Sequence, residues 1–175
     1  DQMLYGDDYR CFETAFSLLT QVIGRAGRSE GGGIAVVQTY NPDNETIRLS
    51  AKQDYEAFYH NEIDVRRALV FPPFCDIAMI TLTSSDENEV LKASNVLAEK
   101  LKALCAKDYS DVPLVFYGPF EAPVYKVDGK YRMRLIAKCR LNKRSRAMFA
   151  EIMVKFSRSG AKGINFSVDF NPSNI

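Results

Sequence analysis

Two consecutive prolines, Pro72 and Pro73, divide the 175-residue chain and limit how it can fold. Proline lacks a backbone N–H, and it disfavours helical geometry both for itself and for the residue before it. The helical pattern that precedes Phe71 must therefore stop at the sequence Phe-Pro-Pro-Phe. We predict a domain boundary there, with residues 1–70 on one side and residues 71–175 on the other.

The segment after the prolines alternates between strand-like and helix-like patterns. The predicted strands are Cys75–Thr83, Leu114–Tyr117, Tyr131–Arg140 and Ile164–Phe170, and the predicted helices are Asp86–Ala106 and Lys143–Ser157. Ser84 and Ser85 are expected to cap the first helix, and the Asp-Gly pair at positions 128 and 129 supplies a hairpin turn between the second and third strands. This βαββαβ order predicts an α+β, ferredoxin-like domain, in which two helices back one sheet.

The segment before the prolines predicts a helix over Tyr9–Gly27, a short buried strand over Ile34–Tyr40 and two further helices between residues 47 and 69. A single strand cannot satisfy its own backbone hydrogen bonds, so this segment needs the rest of a larger domain or a neighbouring chain. We expect the strand and the helix before it to expose apolar surface. We further expect them to pair with a second copy of the chain or to be poorly ordered.

Charge is distributed unevenly, although the net charge is only +1. Residues 126–146 contain nine basic side chains and a single acidic one, Asp128. This excess predicts a polyanion or an acidic peptide as partner. No apolar run is long enough to span a membrane and the first residues do not read as a signal peptide, so a cytoplasmic location is expected.

The basic residues of the third predicted strand alternate with apolar ones. A period of two places Tyr131, Met133, Leu135, Ala137 and Cys139 on the core side, and the even-numbered residues on the open face. The cations expected to follow a nucleic-acid backbone are Lys126, Lys130, Arg132, Arg134, Lys138 and Arg140. Tyr117 and Tyr125 are candidates for stacking on bases. The alternative is that these cations serve only solubility and edge protection.

A second pattern, Gln-x-x-Gly-Arg-Ala-Gly-Arg, occupies positions 21–28. On a helix, Gln21, Arg25 and Arg28 share one face, and two neighbouring guanidiniums form a donor array that suits phosphate oxygens. The small residues Gly24 and Ala26 allow a ligand or a second backbone to approach closely. A surface helix that ends in a glycine-rich turn is the alternative interpretation.

This string resembles motif VI of superfamily-two helicases, whose arginines contact the γ-phosphate of ATP. Further segments, in the same order along the chain, are similar to primosomal replication-restart helicases of the PriA type. These segments are Leu18-Leu19-Thr20, Gln38-Thr39-Tyr40-Asn41-Pro42, Tyr55-Glu56-Ala57-Phe58, Arg66-Arg67-Ala68-Leu69, Phe71-Pro72-Pro73-Phe74 and Val168-Asp169-Phe170-Asn171-Pro172. The family more usually has Gly-Tyr before Pro-Pro-Phe, where this chain has Val70-Phe71.

The resemblance implies that residues 1–70 are the C-terminal part of a RecA-like helicase lobe and that residues 71–175 are the C-terminal domain of an ATP-dependent 3′–5′ DNA helicase that restarts stalled forks and loads the primosome. In that enzyme ATP and Mg²⁺ are cofactors, and three side chains of the motif act on the γ-phosphate. These three are Gln21, Arg25 and Arg28, with Gly24 and Gly27 beside the nucleotide. The sequence contains no phosphate loop, no Asp-Glu metal box and no cysteine-rich zinc region, so we predict no activity and no cofactor for this chain alone.

The resemblance also implies partners. In the family, the region similar to the start of the last predicted helix receives the acidic tail of the single-stranded DNA-binding protein. Arg146 matches the basic residue that pairs with the tail's carboxylate, and Lys143 and Arg144 lie beside it. Ala150 stands where well-known members have glutamine. Forked and single-stranded DNA and other primosome proteins are the remaining expected partners.

Two alternatives from other classes stay open. One is a stand-alone ferredoxin-like module that binds nucleic acid or protein, with the N-terminal third as a docking arm. The other is a different superfamily-two enzyme, such as a recombination helicase. The Pro-Pro-Phe boundary and the last predicted domain argue against the second alternative.

Overall fold

The computed structural model describes residues 1–6, 8–26, 33–158 and 163–173. They form two compact units, of which the first runs from Asp1 to Phe71 and the second from Pro72 to Ser173. Of the helices that the structure describes, none is sufficiently long and apolar to cross a membrane.

The first unit consists of a short 3-10 helix, Gln2–Tyr5, and three α-helices. The α-helices are α1 (Cys11–Ala26), α2 (Glu45–Lys52) and α3 (Tyr55–Ala68), so the predicted pair of helices between residues 47 and 69 is confirmed. The Asn44 and Asp54 side chains cap α2 and α3 by accepting hydrogen bonds from the first free backbone N–H groups. The apolar contacts form two small clusters: Leu4, Ala15 and Ile47, and then Phe16, Leu49 and Phe58.

The predicted strand over Ile34–Tyr40 is wrong, because the structure places no strand there. The sheet formed by the described residues has four strands, all of them in the second unit, so this segment has no neighbouring strand to bond with. Ile34 is 90% exposed and Val36 is 88% exposed. The prediction that this segment and the preceding helix expose apolar surface is confirmed, since Leu18 and Val22 on α1 are also exposed. Pairing with a second copy remains a prediction.

The second unit is a ferredoxin-like domain, as predicted. Its elements are β1 (Asp76–Ser84), α4 (Glu87–Asp108), β2 (Leu114–Val127), β3 (Lys130–Cys139), α5 (Lys143–Arg158) and β4 (Asn165–Phe170). The strands lie in the order β2-β3-β1-β4, and all neighbouring pairs are antiparallel. This arrangement is the split βαβ layout, in which the two helices cover one face of the sheet.

The core of the second unit lies between the sheet and its two helices. Strand β3 contributes Met133, Leu135, Ala137 and Cys139, which confirms the predicted alternation with a period of two. Strand β1 contributes Ala78, Ile80 and Leu82, and the helices contribute Val90, Leu97, Leu101, Met148, Phe149, Ile152 and Phe156. The opposite face of the sheet holds the even-numbered residues of β3 and, beside them on β1, Ile77 and Met79, which are buried.

Two local predictions need correction. The N-cap of α4 is Asp86, whose carboxylate accepts from the Glu89 N–H at 3.0 Å, whereas the Ser84 hydroxyl accepts from the Asp86 N–H. Both groups satisfy free donors at the start of the helix, but the longer acidic side chain reaches into the first turn. Strand β2 also extends well beyond the predicted Leu114–Tyr117, because two irregularities let it continue alongside β3.

Candidate nucleic-acid interface

The second unit presents a mixed cationic and aromatic surface on the side of the sheet that lies away from the helices. We call it the open face, and it consists of Arg132, Arg134 and Lys138 of β3 with Val115, Tyr117 and Phe120 of β2. Antiparallel pairing fixes the neighbours on this face. Lys138 lies opposite Val115, and Arg134 lies opposite Phe120.

The two arginines of the open face have no acidic partner among the described residues. Among the residues that the structure describes, neither Arg132 nor Arg134 forms an ion pair. The Nε of Arg134 is buried and has no hydrogen-bond partner there. Burial, together with the charge of Arg132, lowers the pKa of the Arg134 guanidinium. Two like charges side by side are unfavourable unless an anion joins them, so this face is suited to an anionic ligand.

Lys138 lies at the other end of the open face. Its Nζ is 5.5 Å from the centroid of the Tyr117 ring, a cation–π geometry. Burial also lowers the pKa of the Lys138 ammonium group. A partly desolvated cation interacts more strongly with an incoming anion than a fully hydrated one does.

The other three predicted cations have different surroundings. Lys126 lies opposite Tyr131, donates a hydrogen bond of 2.9 Å to its hydroxyl and sits 4.3 Å from its ring centroid. Arg140 follows the end of β3 and donates to the carbonyl of Pro73 at 3.0 Å. Lys130 is exposed at the first position of β3, next to the hairpin turn. Arg132, Arg134 and Lys138 thus share the open face, Lys130 lies at the hairpin end of the same strand, and Lys126 and Arg140 bond to other residues.

The two tyrosines predicted to stack on bases also lie in different environments. Tyr117 is about half exposed on the open face. Tyr125 packs against the core of the domain and meets the Tyr131 ring edge-on at 5.4 Å. The aromatic residue that sequence reasoning missed is Phe120, which shares the open face with Tyr117.

A β-bulge explains why Phe120 was missed. Tyr117 pairs with Ile136 and Phe120 pairs with Arg134, so three steps along β2 match two steps along β3. Gly118 lies in this bulge with φ +99°, and a Cβ atom there would come within 2.8 Å of the Arg134 carbonyl oxygen. Only glycine adopts this conformation readily. The Gly-Pro pair at positions 118 and 119 was the signal in the sequence that could have indicated the bulge.

The motif of positions 21–28 is only partly described. Gln21 and Arg25 lie exposed on α1, where the Gln21 amide donates a weak hydrogen bond of 3.4 Å to the Ser17 hydroxyl. Gly24 is half-buried on the same helix. Gly27 and Arg28 lie outside the described residues, so Arg25 is the one member of the predicted arginine pair that the structure describes.

The basic residues at the start of α5 have different environments. Arg144 pairs with Asp111 at 3.1 Å and lies 4.3 Å above the Tyr109 ring, and it also donates to the carbonyl of Asp108. It therefore joins the start of α5 to the end of α4. Its neighbour Arg146 is exposed, with its guanidinium 5.1 Å from the Phe170 ring centroid.

Lys143 is exposed at the first position of α5. Asn142 caps this helix by accepting from the backbone N–H groups of Arg144 and Ser145. Across the described parts of the chain, no group of three or more histidine, cysteine or acidic side chains is arranged to hold a metal ion.

Comparison with known proteins gives a family for this geometry. The sequence model of the family described as "Primosomal protein N C-terminal domain" matches residues 67–173. A curated relative from Bacillus subtilis, named "Replication restart protein PriA", is 32% identical over 173 residues, which are 98% of this chain and 21% of that protein. The protein of the same name from Borreliella burgdorferi is 33% identical over 129 residues, 74% of this chain and 19% of that protein.

The chain thus spans about a fifth of the length of these curated relatives. Among solved structures, a de novo designed protein with a ferredoxin fold is similar, with a TM-score of 0.41 and 12% identity over 57% of this chain and 86% of that one.

Proposed function

Because the chain belongs to the primosomal protein N C-terminal domain family, we propose that it is the C-terminal part of an ATP-dependent 3′–5′ DNA helicase that restarts stalled replication forks. The names of its curated relatives and the match along 98% of the chain support this proposal. Under this proposal, Asp1–Phe71 belongs to the second helicase lobe. The apolar side chains that it exposes would then pack against the remainder of that lobe.

Within that enzyme, the second unit binds the DNA backbone. The observation that carries this proposal is the pair of arginines on the open face, Arg132 and Arg134, which have no acidic partner among the described residues. Phosphates would supply the missing anions, and guanidinium groups are the donors best suited to them. Contacts to phosphates carry no direct sequence information, so the proposed contact is independent of sequence.

Helix α1 supplies the contribution to ATP hydrolysis. Gln21 and Arg25 project from this helix and, with Arg28, are proposed to contact the γ-phosphate across the cleft between the lobes. The described residues do not fit the whole group of ATP and Mg²⁺, because no carboxylate cluster and no phosphate loop accompany them. We therefore assign no catalytic step to this chain alone.

The start of α5 is the proposed site for an acidic protein tail, that of the single-stranded DNA-binding protein. Arg146 is exposed and stands beside the Phe170 ring, so it offers a cation next to an apolar surface. Lys143 is exposed near it, whereas Arg144 is already paired with Asp111. Arg146 and Lys143 are thus better placed than Arg144 to receive a carboxylate.

A stand-alone binding module is the second candidate function. The complete core of Pro72–Ser173 favours it, because such a domain can fold without a partner. The exposed apolar residues of the first unit favour the helicase, since an independent docking arm gains nothing from exposing them.

The test of DNA binding is a salt titration of fluorescence anisotropy with a labelled single-stranded oligonucleotide. The chain is expected to bind at low salt and to lose affinity steeply as salt rises. In a double variant, R132A/R134A, the slope of log affinity against log salt should fall by about 1.4, or about 0.7 for each phosphate that the protein no longer neutralises.

The matched control removes two charges from the helical side of the same domain. Lys92 and Lys102 are exposed on α4 and pair with Glu89 and Glu99. The K92A/K102A variant has the same net charge as R132A/R134A but should retain most of the affinity and the slope. Absence of binding at low salt, or equal losses in the two variants, would contradict the assignment of the open face to DNA.

A further inference from the structure

Two aromatic side chains of β2 lie exposed on the open face. Tyr117 is 49% exposed and Phe120 is 36% exposed, whereas the remaining aromatic residues of β2, Phe116 and Tyr125, pack against the core. Exposing two large rings on one face forfeits the free energy that their burial would contribute. The exposure of these rings therefore indicates a role other than stabilising the fold.

The bulge at Gly118 sets the spacing of the rings. In a regular strand, residues three apart point to opposite faces, so Tyr117 and Phe120 would lie on different sides of the sheet. The extra residue in the bulge brings both to the open face, opposite Ile136 and Arg134. Those two positions of β3 are about 6.8 Å apart along the strand, at a rise of about 3.4 Å per residue.

Each ring has a cation beside it. The ammonium group of Lys138 lies 5.5 Å from the centroid of Tyr117, and Arg134 is the cross-strand neighbour of Phe120. The open face thus holds two rings with a cation close to each of them. A single nucleic-acid strand offers bases to the rings and phosphates to the cations.

We propose that Tyr117 and Phe120 form a platform on which two successive bases of single-stranded DNA stack, while Arg134 and Lys138 hold the phosphates between them. This inference rests on the proposed function, since it names the form of DNA that the open face takes. Bases in a duplex are stacked on each other at about 3.4 Å. Their faces are therefore covered by neighbouring bases and are not free to lie on Tyr117 and Phe120, so the platform selects unpaired strands.

The first experiment separates base stacking from phosphate binding. Anisotropy titrations use a labelled oligothymidylate and an abasic oligonucleotide of the same length, which has the phosphates but no bases. The Y117A and F120A variants should each bind oligothymidylate about tenfold more weakly, within the range found for the loss of one stacked base. Binding of the abasic strand should be unchanged, and Y117F, which retains the ring, should restore the affinity.

A second experiment reports stacking directly. The chain has no tryptophan, so a Tyr117→Trp variant has a single indole on the platform. Oligothymidylate should quench its fluorescence with saturation, and the abasic strand should not. A Tyr40→Trp variant is the control, because Tyr40 is 99% exposed in the first unit and does not belong to the open face.

The outcomes distinguish a failure of the proposed function from a failure of the stacking platform. If the chain binds no DNA at low salt, both the proposed function and the platform are overturned. If it binds oligothymidylate and the abasic strand equally, and Y117A and F120A have no effect, then the open face contacts phosphates alone and only the platform is overturned. Tighter binding of duplex than of single strand, or saturable quenching by an acidic apolar peptide instead of by DNA, would equally overturn it.

Discussion

The two units of the chain differ in how fully they bury their apolar residues. Pro72–Ser173 has one contiguous core between a four-stranded sheet and two helices. Asp1–Phe71 has two small clusters, and Ile34, Val36 and Tyr40 lie almost completely exposed. The second unit buries its apolar residues against each other, whereas the described residues of the first leave apolar surface in contact with water. The burial of apolar residues therefore has to be judged for each unit separately.

The largest expected effect comes from the core of the second unit. Leu101 on α4 is completely buried, and truncation to alanine removes apolar packing and leaves a cavity. We expect L101A to lower the free energy of unfolding by about 2–5 kcal/mol, as measured by urea denaturation followed by circular dichroism. Leu91 on the same helix is 46% exposed, and L91A should cost less than about 1 kcal/mol. Equal losses of stability in L101A and L91A would contradict the placement of Leu101 in the core and of Leu91 on the surface.

A polar junction at one end of the sheet should give the next largest effect. The Asp76 carboxylate accepts from the Leu141 N–H and from the Asn171 side-chain amide, both at 2.9 Å. The Leu141 N–H, then the Asn171 amide, lower the pKa of Asp76. A carboxyl group whose pKa is lowered by folding stabilises the protein above its unfolded pKa, and this contribution is lost as pH falls through the folded value.

Replacement of Asp76 by asparagine leaves one of these two donors without an acceptor. We expect D76N to lower the free energy of unfolding by about 1–2 kcal/mol at pH 7. The difference from the wild type should shrink once pH falls below the ordinary aspartate range of about 4, where the wild type loses the same charge. D169N is the control, because Asp169 is exposed and its carboxylate has no hydrogen-bond partner among the described residues. A difference independent of pH would rule out the charge as the cause.

The second unit was also the more predictable one from sequence. Its fold follows from local signals that agree with one another: the proline stop, the Asp-Gly turn and the alternation of β3. Each of these acts over a few residues, and the core that they imply lies entirely inside the unit. The first unit gave a correct helical pattern but a wrong strand. The apolar run Ile34–Tyr40 indicates burial, whereas no described part of the chain buries it.

The candidate site was predictable to the extent that it depends on one strand. The period of two placed Arg132, Arg134 and Lys138 correctly on one face. It did not distinguish them from Lys126, whose bond to Tyr131 depends on an irregularity in β2. Phe120 was missed for the same reason. A bulge changes which face every later residue of a strand points to, and a spacing rule carries no information about it.

The smallest expected effect is that of a substitution in the first unit. Val36 is 88% exposed and Val90, in the core of the second unit, is fully buried. Threonine has nearly the shape of valine but adds a hydroxyl group, so V90T should lower the free energy of unfolding by about 1–3 kcal/mol, whereas V36T should change it by less than about 0.5 kcal/mol.

The same V36T substitution should reduce self-association, measured by light scattering at rising protein concentration, because it makes an exposed apolar segment more polar. The V90T variant provides the matched control for the chemistry of the substitution. If V36T cost as much as V90T, residues 34–40 would be packed in solution, and the contrast between an incomplete first unit and a complete second one would fail. If V36T altered association but not stability, the exposed segment would be a surface that another protein segment covers.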